Sequence, residues 1–406
     1  MGLAGTGADV PRHSGFLLLV ALLAVLAGCA GALGEGPSGK DTSEDGPSEG
    51  RRDEAVQRER DAVRDEEGPA LEERSPREMV GQMFIISVGG TQPDYYVEKM
   101  LRERNIGGVI LFDHNMRSEA QVESFAGKLQ ELSMETEPAV PLFVAVDQEG
   151  GDIASAPWVS PQPSAAQIGR RGDPAEARAV AEEIGAQLVR AGVNTDFAPV
   201  VDTGFGAAIG NRSYGEDPEL VARMGAAAVE GFESSGVVSA AKHFPNHGPA
   251  TSDSHVGVPM IEHDAATLRS YDLPPFRAAV TAGVPMVMVG HLIYPAIDPE
   301  KPASLSADAI SMLREEIGFD GVVVTDDLAM AGASGGRPPA RAAVEAVRAG
   351  ADLLIVSSPP QEQAEAYEAV VAAVESREIP RERIRESVGR VLRVKDRYDL
   401  RGGRPH

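Results

Sequence analysis

Two segments of the sequence hold residue types that could carry out a displacement reaction at carbon. One covers residues 242–255 and the other residues 322–330. Asp326 follows an apolar run in the second segment, and a carboxylate held in this way suits attack on an electrophilic carbon. In the first segment Asp253 precedes His255 by two residues, so it could fix the imidazole tautomer and raise its basicity. A nucleophile together with a proton donor and acceptor predicts a two-step displacement.

The histidine-rich segment 242–255 leaves two other interpretations open. Its histidines could cap a turn, but this leaves Lys242 unexplained, one of only six lysines among 38 basic residues. A lysine at a strand end, in a chain that otherwise favours arginine, indicates a site for a compact ammonium group. A metal site is the other alternative, but Pro245 and Gly248 break the helix that would place two histidines on one face. We therefore expect no metal ion; the candidate ligands of that alternative are His243, His247, Asp253 and His255.

The elements that must position these residues alternate along the chain from residue 76 onward. Short runs rich in Val, Ile and Ala are separated by amphipathic stretches, which indicates parallel strands covered on both faces. Eight such repeats favour a (β/α)₈ TIM barrel over an open doubly wound sheet. No dinucleotide-binding glycine motif follows the first strand, and no phosphate loop occurs. The predicted strands are 83–88, 108–112, 142–147, 193–199, 239–245, 285–291, 321–327 and 352–357.

A barrel of this kind places its active site at the carboxyl ends of the strands. The polar residues of the sequence collect at those ends, since strand three runs into Asp147, strand five contains Lys242, and strand seven runs into Asp326 and Asp327. Neighbouring residues of a strand point to opposite faces, so Asp327 is not expected to share a proton with Asp326. We predict that Asp327 fixes the loop or a neighbouring cation.

The amino terminus has the features of an export signal. Residues 16–26 form an apolar run that is too short to cross a bilayer core of roughly 30 Å but suits a signal peptide. Cys29, the only cysteine, follows small residues, which resembles the lipobox of bacterial lipoproteins; an ordinary secretory signal is the alternative. We predict a lipoprotein signal peptide (1–29), a disordered acidic linker (30–75), one catalytic domain (76–400) and a short tail (401–406).

Composition excludes several classes of partner and site. The chain of 406 residues has 38 basic and 62 acidic side chains, a net charge of −24, and no run of Lys and Arg. Such a negative field repels phosphate backbones, so we expect no nucleic acid partner. One cysteine can form neither an internal disulfide nor a cysteine-based zinc site.

Five motifs follow one another along the chain: DQEGG (147–151), NTDFAPVVD (194–202), NRSYGEDP (211–218), KHFPNHG followed by DSH (242–255), and TDDLAM (325–330). Together they resemble glycoside hydrolase family 3, in particular the β-N-acetylglucosaminidases of peptidoglycan turnover. The resemblance covers residues 76 to about 400 and implies a retaining exo-glycosidase that acts on a carbohydrate and needs no cofactor. We expect a monomer, which the lipid anchor predicted at Cys29 would hold outside the cell, facing the cell wall.

The resemblance also implies a role for individual residues. Asp326 becomes the nucleophile that forms a covalent glycosyl-enzyme, and His255, supported by Asp253, becomes the general acid and base. Charge-assisted hydrogen bonds suit sugar hydroxyls because they are short and directional. The implied substrate-binding residues are Asp147, Arg212, Lys242 and His243.

Three departures from the family pattern leave the ligand open. Asn246 stands where the family has a glycine, and Asp152 and Ser155 stand where it has arginines. A β-glucosidase is one alternative, although such members follow the nucleophile with tryptophan and this chain has Asp327. A phosphorylase of the same family is a second alternative. A lipoprotein that binds glycans but has lost activity is the third.

Overall fold

The computed structural model of the chain describes residues 74–252, 257–335 and 337–400. The predicted signal peptide with Cys29, nearly all of the linker 30–75, and the tail 401–406 lie outside these ranges. Asp253 and His255 also lie outside them.

Eight parallel strands form the centre of the described chain. Each strand pairs with its neighbours in sequence, and β8 returns to pair with β1. A parallel bridge between Val324 and Leu353 joins β7 to β8 and completes the circle. The predicted (β/α)₈ barrel is therefore confirmed. The strands are β1 (Phe84–Ser87), β2 (Gly108–Ile110), β3 (Phe143–Val146), β4 (Thr195–Asp196), β5 (Val238–Phe244), β6 (Met286–Val289), β7 (Val322–Thr325) and β8 (Leu354–Val356).

Helices surround the barrel, and none in the described ranges is both long and apolar enough to cross a membrane. A hairpin, Gln148–Gly150 with Ile153–Ala154, follows β3. The helices are α1 (Pro76–Gln82), α2 (Tyr95–Arg104), α3 (Glu119–Met134), α4 (Ala165–Arg171), α5 (Pro174–Arg190), α6 (Pro218–Ser235), α7 (Ala265–Thr267), α8 (Pro274–Thr281), α9 (Ala307–Ser311), α10 (Ala331–Ser334), α11 (Pro339–Ala349), α12 (Pro360–Glu375) and α13 (Arg381–Arg397). Shorter turns are 3₁₀-helical at Asp113–Asn115, Gly210–Arg212 and Ala303–Leu305 and π-helical at Leu268–Asp272 and Met312–Glu316.

Local sequence signals fix where the helices begin and end. Helix α6 begins after Asp217, whose side chain accepts a hydrogen bond from the Glu219 N–H at 3.1 Å, and Pro218 occupies the first turn. It ends at Gly236, whose φ of 77° is the left-handed conformation that glycine adopts most easily. The helical segment from Ala265 to Thr281 is irregular: Pro274 has no amide hydrogen, and α7 passes through a π-turn into α8.

The core has two layers that follow the alternation of side chains along each strand. In β1, Ile85 points into the barrel interior and Ile86 packs against the surrounding helices. Phe143 and Met288 add to the same interior group. Helix α13 also contributes Val391 and Val394 to that group, so it closes the amino-terminal end of the barrel while the carboxyl end stays open to the site.

A fully buried lysine lies in this amino-terminal closure. Lys395 Nζ lies 2.8 Å from both Gln82 Oε1 and the Gly107 carbonyl, and 4.8 Å from the centre of the Phe143 ring. All three contacts are neutral groups. Burial therefore lowers the pKa of Lys395 well below its ordinary value.

This lysine predicts a pH dependence of stability with a definite sign. The unfolded state binds the Lys395 proton more tightly than the folded state, so the free energy of unfolding rises with pH up to about pH 10.4. The rise is at most about 1.4 kcal/mol per pH unit. Urea unfolding at pH 7 and pH 9.5 should show it in the unaltered chain and in Lys128→Met, an exposed control. The same dependence in Lys395→Met would contradict the assignment.

Candidate active site

A cavity of about 470 Å³ opens at the carboxyl ends of the strands. This volume is typical of a small-molecule site. The structure brings together here all five of the predicted catalytic and sugar-binding residues that it describes. The five residues are Asp147, Arg212, Lys242, His243 and Asp326. The apolar side chains that line the cavity with them are Ile110, Phe112, Phe197, Met288, Met330 and Ile355.

The two cations of the cavity wall share one buried carboxylate, Glu149. Lys242 Nζ lies 2.7 Å from Glu149 Oε1 and 2.6 Å from Asp147 Oδ1. Arg212 donates two hydrogen bonds to Glu149, from Nε at 2.8 Å and from Nη2 at 2.7 Å. Burial raises the pKa of Glu149, but Lys242 and Arg212 outweigh it and lower the pKa to about 2. Glu149 is therefore ionised and holds both cations in place.

A second buried carboxylate, Asp202, positions His243 near the end of strand β5 and His247 just after it. Its Oδ2 lies 2.7 Å from His243 Nδ1, and its Oδ1 accepts hydrogen bonds from the His243 and His247 N–H groups. Burial raises the pKa of Asp202, yet the neighbouring His243 lowers it below its ordinary value. The contact orients the His243 ring so that Nε2 lies 3.5 Å from Arg212 Nη2.

The candidate nucleophile Asp326 follows strand β7 directly. Its N–H donates to the Val289 carbonyl at 3.0 Å, and its Oδ1 accepts from the Asp327 N–H at 2.8 Å. Burial raises the pKa of Asp326, but nearby His291, His243 and this N–H bring it below its ordinary value. The carboxylate is therefore ionised at neutral pH, as a nucleophile must be.

Asp327 follows Asp326 beyond the end of β7 and lines the same cavity, so strand alternation does not separate the two side chains as expected. The Asp327 carboxylate accepts hydrogen bonds from the Ser357 hydroxyl and from the N–H groups of Ser357 and Ala329, the two amide bonds being 3.0 Å long. Asp327 thus joins the loop after β7 to the end of β8. Its pKa is raised, chiefly by burial.

Two of the three departures from the family pattern have a structural account. Asn246 does not adopt a positive φ, so glycine is not required there. Its Oδ1 accepts from the Thr203 and Gly248 N–H groups, each at 2.9 Å, and its Nδ2 donates to Asp272 Oδ1 at 2.7 Å. Asp152 lies exposed at the hairpin turn, where it accepts a hydrogen bond from Asn211 Nδ2 at 2.7 Å.

The third departure, Ser155, lines the cavity. A serine leaves this part of the wall without the cation that the family pattern has. Among the described residues, Arg212 and Lys242 are the cations that line the cavity.

The metal alternative gains no support from the described residues. His243 Nδ1 faces Asp202, and no group of three or more His, Cys, Asp or Glu side chains within the described ranges is arranged to hold an ion. Two of the candidate ligands, Asp253 and His255, lie outside those ranges.

Sequence reasoning missed Glu149 and Asp202 as site residues. Both occur inside the motifs DQEGG and NTDFAPVVD, at or after strand ends. The signal that could have found them is that carboxylates buried in an apolar environment require cationic or donor partners. Only the folded chain shows which partners they have.

Replacing Glu149 with glutamine tests this shared contact. The amide keeps one acceptor oxygen but removes the charge between Lys242 and Arg212, which lie within 2.8 Å of the carboxylate. We expect the KM of a glycoside substrate to rise about tenfold to a hundredfold, with a smaller effect on kcat. Glu230→Gln, an exposed glutamate, should change neither. An unchanged KM in Glu149→Gln would contradict the role.

Residues 76–394 match the sequence profile described as the glycosyl hydrolase family 3 N terminal domain. The chain belongs to glycoside hydrolase family 3. The match to the family 3 profile spans the whole barrel, so the predicted family is confirmed together with the fold.

Proteins similar to this chain include two beta-hexosaminidases and a solved structure. Beta-hexosaminidase A of Pseudoalteromonas piscicida is 35% identical over 327 residues, which are 74% of this chain and 54% of that protein. Beta-hexosaminidase of Stenotrophomonas maltophilia (strain K279a) is 39% identical over 287 residues, 68% of this chain and 84% of that protein. A family 3 beta-N-acetylglucosaminidase structure from Paenibacillus sp. str. FPU-7 has a TM-score of 0.78 at 39% identity, covering 81% of this chain and 63% of that one. The chain thus spans 54% of the Pseudoalteromonas piscicida protein and 63% of the chain in the Paenibacillus structure.

Proposed function

We propose that this protein is a retaining exo-β-N-acetylglucosaminidase that removes terminal β-linked N-acetylhexosamine from a glycan. The observation that carries the proposal is the position of Asp326, whose pKa is lowered, in a cavity that Lys242 and Arg212 line together with the carboxylate of Glu149. The relatives named above are beta-hexosaminidases and a beta-N-acetylglucosaminidase, which supports the same activity. Peptidoglycan fragments are the source of substrate that the family resemblance favours.

The proposed reaction has two displacements. Asp326 attacks the anomeric carbon while His255 gives a proton to the departing glycosidic oxygen, so that a glycosyl ester forms as the glycosidic bond breaks. His255 then removes a proton from water, which attacks the same carbon and releases the sugar and the free carboxylate. Asp147, Arg212, Lys242 and His243 line the cavity and are the proposed partners of the sugar hydroxyls.

Two aryl glycosides test the proposal directly. Protein lacking residues 1–29 should hydrolyse 4-nitrophenyl β-N-acetylglucosaminide with a kcat/KM at least about tenfold above that for the β-glucoside. The reverse preference would favour a β-glucosidase. Binding of N-acetylglucosamine without turnover would favour a glycan-binding protein. Faster release with phosphate than without it, together with a sugar phosphate product, would favour a phosphorylase.

We further propose that the protein is exported and held on a membrane surface through lipid on Cys29. Support for this comes from the order of an apolar run, small residues and a single cysteine. Mass spectrometry of the mature amino-terminal peptide should show a lipid-modified Cys29. An unmodified peptide that begins elsewhere would contradict the anchor.

A further inference from the structure

A separate cavity of about 260 Å³ lies at the amino-terminal end of the barrel, away from the active site. Its walls are the chain just before β6, the chain just before β7, and one side of helix α13. Three arginines of α13 line it, spaced by three and four residues, so they lie on the same side of the helix. They are Arg390, Arg393 and Arg397. In a chain with a net charge of −24, this concentration of cations needs an explanation.

Hydrogen bonds from arginines hold the two loops that form the other walls. Arg314 Nη1 donates to the carbonyl of Phe319 at 2.8 Å and to that of Gly321 at 2.7 Å. Arg397 Nη1 donates to the Gly283 carbonyl at 3.3 Å. Gly283 has a φ of 85°, which glycine adopts more easily than any other residue. The shape of this cavity is therefore fixed by specific contacts.

The arginines beside the cavity outnumber the buried acidic groups. Asp352 is fully buried, and Arg314, Arg383 and Arg390 all contact its carboxylate, the last two at 2.9 and 3.3 Å. These three arginine side chains are only 14% to 18% exposed. Asp320, the acidic residue that lines the cavity among the described residues, has its Oδ1 3.8 Å from Arg390 Nε, which is too far for a hydrogen bond. One buried carboxylate does not neutralise three buried arginines.

Two observations indicate the uncompensated charge of this arginine cluster. Burial lowers the pKa of Arg314, and Arg390 and Arg383 lower it further, which outweighs the opposite effect of Asp352. The Nε atoms of Arg383 and Arg390 are buried and have no hydrogen-bond acceptor within the described ranges. Buried donors without acceptors are costly, so the cluster has more donors than the folded chain satisfies.

The other acidic partners of these arginines lie in water. Glu386 lies 3.5 Å from Arg383 Nη1 and is 54% exposed. Glu233 lies 2.8 Å from Arg397 Nη2 and is 42% exposed. Exposed ion pairs contribute little free energy because solvent screens them. They are therefore weak competitors for an anion that enters the cavity.

We propose that this cavity binds a phosphate group. A phosphate monoester carries about −1.5 to −2 charges and three strong acceptor oxygens, so it can accept hydrogen bonds from several guanidinium groups at once. A planar, singly charged carboxylate matches the fork of a single arginine. Free phosphate and the phosphate headgroup of a lipid offer the same oxygens. The cavity shares no lining residue with the active site, so the inference is independent of the proposed function.

Basic residues near the carboxyl end of a helix also complement the helix dipole, which would explain Arg397 without any ligand. Calorimetric titration of the full chain with inorganic phosphate, at constant ionic strength, decides between the two explanations. We expect saturable binding to one site, with acetate at least about tenfold weaker. Arg397→Gln and Arg393→Gln should each weaken the Kd for phosphate about tenfold, because each removes a charged donor.

Arg102→Gln is the matched control. Arg102 and Arg397 are both 47% exposed, and Arg102 pairs with Glu135 at 2.6 Å as Arg397 pairs with Glu233 at 2.8 Å. The control should change the Kd less than about twofold. Circular dichroism spectra that match the unaltered chain show that each variant is folded. Arg393→Gln keeps the Arg397 contact to Gly283, so its result does not depend on that wall.

A second ligand distinguishes the two sources of phosphate. Glycerophosphoglycerol is the soluble headgroup of phosphatidylglycerol. Tighter binding of glycerophosphoglycerol than of inorganic phosphate would assign the site to a lipid headgroup, and the reverse order would assign it to free phosphate. Absence of binding of both, equal binding of acetate, or an unchanged Kd in both cavity variants would overturn the site. Hydrolysis of the aryl glycoside by Arg397→Gln should equal that of the unaltered chain, so failure of the site leaves the proposed function intact.

Discussion

Replacing Asp326 with alanine is expected to abolish turnover on every glycoside, with kcat lowered by roughly 10⁴-fold or more. The carboxylate is half-buried in the cavity, and the Asp327 N–H donates to it at 2.8 Å. Alanine leaves no atom that could form the glycosyl ester, and water cannot take its place at the same point. Steady-state rates with aryl and oligosaccharide substrates measure the loss. Asp308→Ala, an exposed aspartate in α9, should retain full activity.

A small external nucleophile sharpens this result. Azide should enter the space left in Asp326→Ala and restore turnover of an activated aryl glycoside, with a glycosyl azide of inverted configuration as product. The lowered pKa of Asp326 adds a pH dependence: on the acid side, kcat/KM should fall only below the ordinary carboxyl range, because the ionised form attacks. Full activity of Asp326→Ala without azide would show that the nucleophile is another group.

Replacing His255 with alanine is expected to give the second large effect, one that depends on the leaving group. Protonation of the departing oxygen matters most when that oxygen is strongly basic, so kcat/KM for a chito-oligosaccharide should fall about 10²- to 10⁴-fold. The 2,4-dinitrophenyl glycoside departs without a proton and should lose less than about tenfold. His114→Ala, an exposed histidine after β2, is the control and should change neither. Equal losses on both substrates would contradict the acid role.

The barrel could be predicted from sequence because each strand is a short apolar run that ends in polar residues. Every predicted strand overlaps an observed one, although β4 is reduced to Thr195–Asp196. Features that depend on one continuous segment of the chain could therefore be predicted from the sequence.

Contacts between distant segments could not be predicted in the same way. Glu149 meets Lys242 only because β3 and β5 end on the same rim, and nothing local to DQEGG specifies that partner. Lys395 is one of several charged residues in α13 by sequence, yet the packing of that helix across the barrel buries it completely. The irregular turn before Pro274 could not be predicted, because the amphipathic pattern continues on both sides of it.

The covalent intermediate tests the central claim most directly. The protein is incubated with a 5-fluoro derivative of N-acetylglucosaminyl fluoride, which forms the glycosyl ester faster than water can release it, and is then digested and examined by mass spectrometry. We expect the mass of one fluorinated sugar on the peptide that contains Asp326, and no added mass in Asp326→Ala. Inhibition without any sugar on that peptide, or a sugar attached to a different carboxylate, would contradict the account.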